Sequence, residues 1–265
     1  MSKILGVILS IAALSLFPLI ASKAQSQDVK TVIAKTNAVY KNARTLQATY
    51  ETNIVAGEKG SATTKITAKV INGKKTRIDI HPVGNGVGAM GKSRASTSLL
   101  IVDNGVTAYM YLPTKNQYGK QPHSPSIFQN VMGGNGLPYG GMDASKQYKL
   151  LAPTSVDGSK VYVLEFTPEQ PPVPTGAPEN STIIDIYIDQ ATYHIKQSKV
   201  TRKSGKMTGF MTTMVKSETL DSPIPDSVFV FTPPKGAKEI QLQQHPSGGG
   251  SAPGGAPGGT GAPRK

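Results

Sequence analysis

The residues with the most obvious chemical potential are Gly86 to Ser93, GVGAMGKS. They satisfy the G-x-x-x-x-G-K-S pattern of a phosphate loop. In such a loop backbone N–H groups cradle phosphates, Lys92 would neutralise them and Ser93 would hold magnesium. Ten residues on, LLIVD ends in Asp103, where a metal-assisting carboxylate would stand. A G-x-G-x-x-G (Gly86, Gly88, Gly91) overlaps the same stretch. The context excludes both readings. A phosphate loop must run into a helix whose N-terminal dipole completes the anion site. Here Arg94-Ala95-Ser96-Thr97 leads straight into the strand-like SLLIV, and 28 glycines make chance matches easy. No nucleotide ligand is expected.

Other chemistry is excluded by residue type. Without cysteine there is neither thiol chemistry nor a disulfide. His81, His123, His194 and His245 stand far apart, with no pair at metal-ligand spacing. Asp103, Asp157 and Asp189 sit in turn sequences, where Asp serves the backbone. No nucleophile elbow occurs. The expectation is a non-enzymatic protein without metal or cofactor.

The elements that would position a site are mostly strands. Asp28 to Leu46 reads as one amphipathic helix, with Asp28 able to cap it and Val29, Val32, Ile33, Val39, Tyr40, Ala43 and Leu46 on its apolar face. From Ala48 the period becomes two, and runs of alternating residues follow to FVF at 229–231. Asn72-Gly73 predicts a type I′ hairpin turn. Val156-Asp157-Gly158 and Asp189-Gln190 mark further turns. Short connections between strands describe an antiparallel meander rather than βαβ units. Two interruptions break it: residues 114–145, a lid-like loop, and the Pro-rich 168–180.

The ends read differently. Residues 1–24 form a secretory signal: Lys3, an apolar stretch from Ile4 to Ile20, and Ser22-Lys23-Ala24 before a cleavage site near Ala24. A periplasmic or otherwise extracytoplasmic location follows. In residues 244–265, 12 of 22 are Gly or Pro, a composition that predicts a disordered tail. One domain is expected over 25–243. The net charge is +13, and losing Lys3 and Lys23 leaves +11. The lysines are scattered and no recognition helix or RNA-binding signature appears, so no nucleic acid is expected.

Four segments in order carry a resemblance. They are LLIVDNGVTAYMYLPTKNQ (99–117), VDGSKVYVLEFTP (156–168), IDIYIDQATYHIKQSKV (184–200) and FVFTPPKGAKEI (229–240), all preceded by the amphipathic helix. Together they resemble the periplasmic outer-membrane lipoprotein carrier family, LolA-like proteins and their lipoprotein-sorting relatives. The resemblance implies an α+β fold: one curved antiparallel sheet, an incomplete β-barrel, covered by the N-terminal helix and a lid segment. It also implies an apolar concave face that holds acyl chains. Period two puts Ile184, Ile186 and Ile188 on one face of a strand. Leu164, Phe166 and Met211 are expected beside them, with Ile54, Ile66, Ile78 and Ile80 completing the lining. The lid would contribute Phe128, Val131, Met132 and Leu137. The sequence departs from the carrier pattern at Val70-Ile71-Asn72-Gly73, where the family has an Arg-Pro pair whose arginine helps latch the lid.

The implied function is a carrier of lipid or lipoprotein acyl chains toward the outer membrane. It would be a monomer, with an inner- or outer-membrane protein as a further partner. A lipid or lipoprotein sensor of the same fold and a wall-associated structural protein are the alternatives.

Overall fold

A computed structural model describes residues 28–56, 60–83, 98–134, 136–169 and 180–242. Residues 1–24, expected as a signal segment, the phosphate-loop lookalike at 86–93, most of the Pro-rich loop and residues 244–265 lie outside the described residues.

Twelve strands form one open, curved sheet with two helices. The chain runs α1 (Val29–Asn42), β1 (Thr45–Ala56), β2 (Ser61–Ile71), β3 (Lys75–Val83), β4 (Leu99–Asp103), β5 (Thr107–Leu112) and β6 (Gln117–Pro122). It continues through α2 (Ile127–Gly134), β7 (Tyr148–Val156), β8 (Ser159–Phe166), β9 (Asn180–Asp189), β10 (Ile195–Ser204), β11 (Met207–Leu220) and β12 (Lys238–Glu239). The order across the sheet is β12-β6-β5-β4-β3-β2-β1-β11-β10-β9-β8-β7. Two meanders, β1–β6 and β7–β11, thus meet where β1 pairs with β11. The expected α+β class and open curved sheet are borne out. All pairs are antiparallel except β12 with β6, which is parallel.

Several local expectations are corrected. The helix ends at Asn42, and Leu46 already belongs to β1. Asp28 stands at the N-cap position without a side-chain cap bond. Between Ile71 and Lys75, only Gly73 has a positive φ (65°). That is not a type I′ turn, which needs positive φ at both central residues. Asp157 (φ 47°) and Gly158 (φ 78°) do meet that demand between β7 and β8. The expected loop 114–145 contains strand β6 and helix α2.

FVF is not a strand. Pro223, Pro225, Pro233 and Pro234 remove four N–H donors around it. A short 3₁₀ turn at Asp226–Phe229 takes its place. This segment lies on the outer, convex face. Phe229 is buried, Phe231 packs against Tyr109, Tyr111 and Tyr118, and Arg77 Nη1 donates to the Val228 carbonyl (3.3 Å). The chain then rounds the β6 edge as β12, and Leu242 sits against Gly119 on the concave side.

The main core lies on the concave face. Helix α1 contributes Val32, Ile33 and Tyr40 and helix α2 contributes Ile127, Phe128 and Met132; the sheet supplies Tyr50, Ile66, Ile78, Leu164, Ile186 and Ile188.

Candidate functional site

Register arranges the concave face in rows that cross the sheet. One apolar row reads Phe166–Ile184–Val200–Met211–Ile54–Ala62. Two residues further along, the row is Leu164–Ile186–Ser198–Thr213–Thr52–Thr64. Its hydroxyls at 198, 213 and 52 are buried, and Thr52 and Thr213 share a 3.0 Å hydrogen bond. The end of the sheet nearest the apolar row, where β1, β3, β8 and β10 finish, is here called the upper end.

The lid segment, 127–142, lies over these rows. A Cβ on Gly136 (φ 76°) would come within 2.6 Å of Val200 Cγ2 and 3.1 Å of Ser198 Oγ. Only glycine lets the backbone approach β10 so closely. Leu137, Tyr139 and Met142 follow and are buried.

Two buried carboxylates secure the lid. At its root, Asp103 accepts from His123 Nδ1 (2.9 Å) and from the Ser124 N–H (3.2 Å). Beyond the expected turn role, which it fills by accepting from the Gly105 N–H (2.9 Å), Asp103 therefore anchors the lid. At the other end Glu218 on β11 accepts from Tyr139 on the lid (2.8 Å) and from Tyr40 on α1 (3.1 Å). His194 Nδ1, in the β9–β10 connection, lies 2.6 Å from the same carboxylate. Three donors compensate a charge whose side chain is only 6% exposed.

Tyr139 is the hub of this cluster. Its ring meets Tyr40 edge-on at 4.7 Å, Tyr50 at 5.9 Å and Phe128 at 5.3 Å. Burial, reinforced by neighbouring tyrosines and by Glu218, pushes the Tyr139 phenol well above its usual range. Burial and then Glu218 do the same to Tyr40. Both therefore remain donors at neutral pH. The Tyr50 hydroxyl faces Tyr139 without reaching hydrogen-bond geometry.

Of the residues expected to line a cavity, Ile66, Ile78, Leu164, Ile186 and Ile188 are buried in the core. Ile80 and Ile184 are partly buried against it. Among the lid residues Phe128, Met132 and Leu137 are buried, and Val131 packs beside them. Ile54, Phe166 and Met211 are half-buried and lie outside that cluster, in the row that the lid only partly covers. Side chains fill the space under the lid.

Two clefts flank the lid. One, about 500 Å³, lies between the lid and β7–β9, among Leu137, Tyr148, Phe166, Ile184 and Ile186. The other, about 470 Å³, lies between α1, α2 and the strand ends at Leu46 and Val70. Both fall in the ordinary size range of small-molecule sites. Among the described residues no cluster of three His, Asp or Glu could hold a metal. No described helix is long and apolar enough to cross a membrane.

Sequence reasoning missed Glu218 and Tyr139. Strict alternation from Met211 and Thr213 would turn Glu218 outward. A β-bulge intervenes: Tyr50 pairs with Val215 and Thr49 with Ser217, leaving Lys216 as the extra residue. Glu218 then faces inward. No signal in the residue string marks that bulge.

No protein-family model matches the chain, and no curated protein matches it. Solved structures do. A LolA superfamily protein from Nitrosomonas europaea is 11% identical, with TM-score 0.35, over 78% of this chain and 99% of that one. The lipoprotein LppX of Mycobacterium tuberculosis is 11% identical, with TM-score 0.36, over 75% and 99%. A chain of the Pseudomonas aeruginosa MucA/MucB complex is 12% identical, with TM-score 0.41, over 77% of this chain and 62% of that one.

Proposed function

We propose that this protein is a non-enzymatic, extracytoplasmic carrier whose concave face takes acyl chains of lipids or lipoproteins, for transport toward the outer membrane. The observation that supports this most is the apolar row Phe166–Ile184–Val200–Met211–Ile54, which the lid leaves partly uncovered. It adjoins the cleft of about 500 Å³ at Phe166 and Ile184. A chain seated there gains roughly 0.8 kcal/mol per buried methylene. Deeper entry requires Tyr139, Leu137 and Met132 to lift with the lid. The extracytoplasmic setting rests on the character of residues 1–24.

The test is displacement of a fluorescent fatty acid, with Ile54→Asp and Met211→Asp. Both sites are half-buried, so each new charge can reach water and the variants should fold. Binding should drop at least about tenfold, with melting close to that of the parent. Folded variants that hold the probe as well as the parent would remove this row from the function.

A further inference from the structure

We infer that the β10–β11 hairpin tip, at the upper end of the sheet, docks the protein on an anionic lipid bilayer. Between Asp189 and Glu218 there is no acidic residue, but there are six basic ones: Lys196, Lys199, Arg202, Lys203, Lys206 and Lys216. The hairpin folds so that Arg202, Lys203 and Lys206 are exposed at its tip. Lys199 Nζ lies 5.2 Å from the Phe210 ring centroid, just below.

The second observation is apolar. Among the described residues six large hydrophobic side chains are exposed, and four of them are at this end. Met207 is 61% exposed at the tip. Phe210 (38%) and its register partner Val55 (39%) are side by side on the outer face, and Val83 (49%) ends β3 nearby. Cations mixed with exposed apolar side chains suit a headgroup interface: the charges meet anionic lipid and the apolar groups enter the acyl boundary. A soluble polyanion would use only the charges.

Among the described residues, carboxylates do not oppose the tip. Asp185, opposite Lys199, and Glu51 lie lower on the outer face. Asp143 and Glu169 line the cleft with Lys146, not the hairpin.

The tip also sits beside the uncovered row. Val200 and Met211 are on the same two strands, within a few residues of Lys203 and Met207. A bilayer bound at the tip would face the mouth of the concave face. The inference deepens the acyl-binding reading and rests on it only for the purpose of docking.

The experiment is flotation with vesicles of phosphatidylcholine alone, or with about a third phosphatidylglycerol. The full chain should bind only the anionic vesicles, and less as salt rises. Lys203→Glu/Lys206→Glu should weaken partitioning about tenfold or more, since each basic residue near such a surface contributes measurably. Met207→Ser/Phe210→Ser should weaken it several-fold. Lys74→Glu/Lys160→Glu, an equal charge change at the opposite end, should change it less than about twofold. Failure to bind anionic vesicles overturns the inference. Equal loss in the Lys74/Lys160 pair does so too, because the attraction would then be diffuse. An unaffected Met207/Phe210 pair would point to a soluble polyanion instead. Fatty-acid displacement on the same samples separates the two readings: docking without acyl binding removes the carrier function and leaves the docking surface.

Discussion

Glu218 is the residue on which three pieces converge: α1 through Tyr40, the lid through Tyr139 and the β9–β10 connection through His194. Glu218→Gln keeps the shape but presents an amide to several donors. It should cost about 1–3 kcal/mol, measured by urea unfolding. A variant as stable as the parent would mean that the cluster is incidental to the closed lid. The tyrosines make a separate, pH-dependent prediction. Burial holds Tyr40, Tyr50 and Tyr139 protonated in the fold, with pKa values raised above the ordinary value of 10.0. A raised folded pKa means that the stabilisation is complete below the unfolded pKa and is lost as pH climbs toward the folded one. Melting temperature should therefore be insensitive to these groups at neutral pH and fall from about pH 10 upward. Tyrosinate absorbance should rise with unfolding. Ionisation of all the tyrosines well before unfolding would contradict their burial. The inward turn of Glu218 was not legible in the sequence, because one extra residue, Lys216, decides which way it points.

Among elements, those with strong local patterns were readable. The α1 stripe of Val32, Ile33 and Tyr40 emerged at helical spacing, and Asp157-Gly158 announced its turn. Elements held by distant partners were not. β6, QYGKQP, carries no apolar alternation and exists because β5 and β12 flank it. The half-buried Ile54 and Met211 share a face with buried Ile66 and Ile186. Only the reach of the lid separates them, and alternation carries no information about a cover. Gly136 fixes that reach. Gly136→Ala places a methyl group against Val200 at a positive φ, so it should destabilise the closed lid by about 1–3 kcal/mol. Hydrogen exchange should rise at Leu137 and Tyr139 while β1 and β2 stay protected. Unchanged exchange there would show that the polar anchors Glu218, Asp103 and Asn37 hold the lid without the close approach at Gly136.

For the whole molecule, the continuous sheet carries the prediction. Because β1–β11 pairing joins the two meanders through eleven registered pairs, unfolding should be one calorimetric transition. Two transitions would divide the chain into independent halves. The antiparallel meander could be read from the sequence since most strands are joined by short turns, while the single curved sheet was what the family resemblance implied. The parallel β12–β6 contact could not, as it spans more than a hundred residues and rests on two register pairs.

The two ends of this sheet have a consequence for colloidal behaviour. An open sheet presents unpaired backbone groups that can recruit another copy strand by strand. On one side β12 occupies part of the β6 edge. On the other, β7 is interrupted by a bulge between Leu151 and Thr154, which contains Pro153, and Lys149 adds charge. The proline offers no N–H to an incoming strand and the bulge spoils the straight register that a fibril needs. Pro153→Thr should restore a donor on this edge and leave the monomer fold intact. Its cost should appear as concentration-dependent light scattering and thioflavin binding during prolonged incubation at high protein concentration. A variant that stays as dispersed as the parent would shift the protection to Lys149 and the overall positive charge.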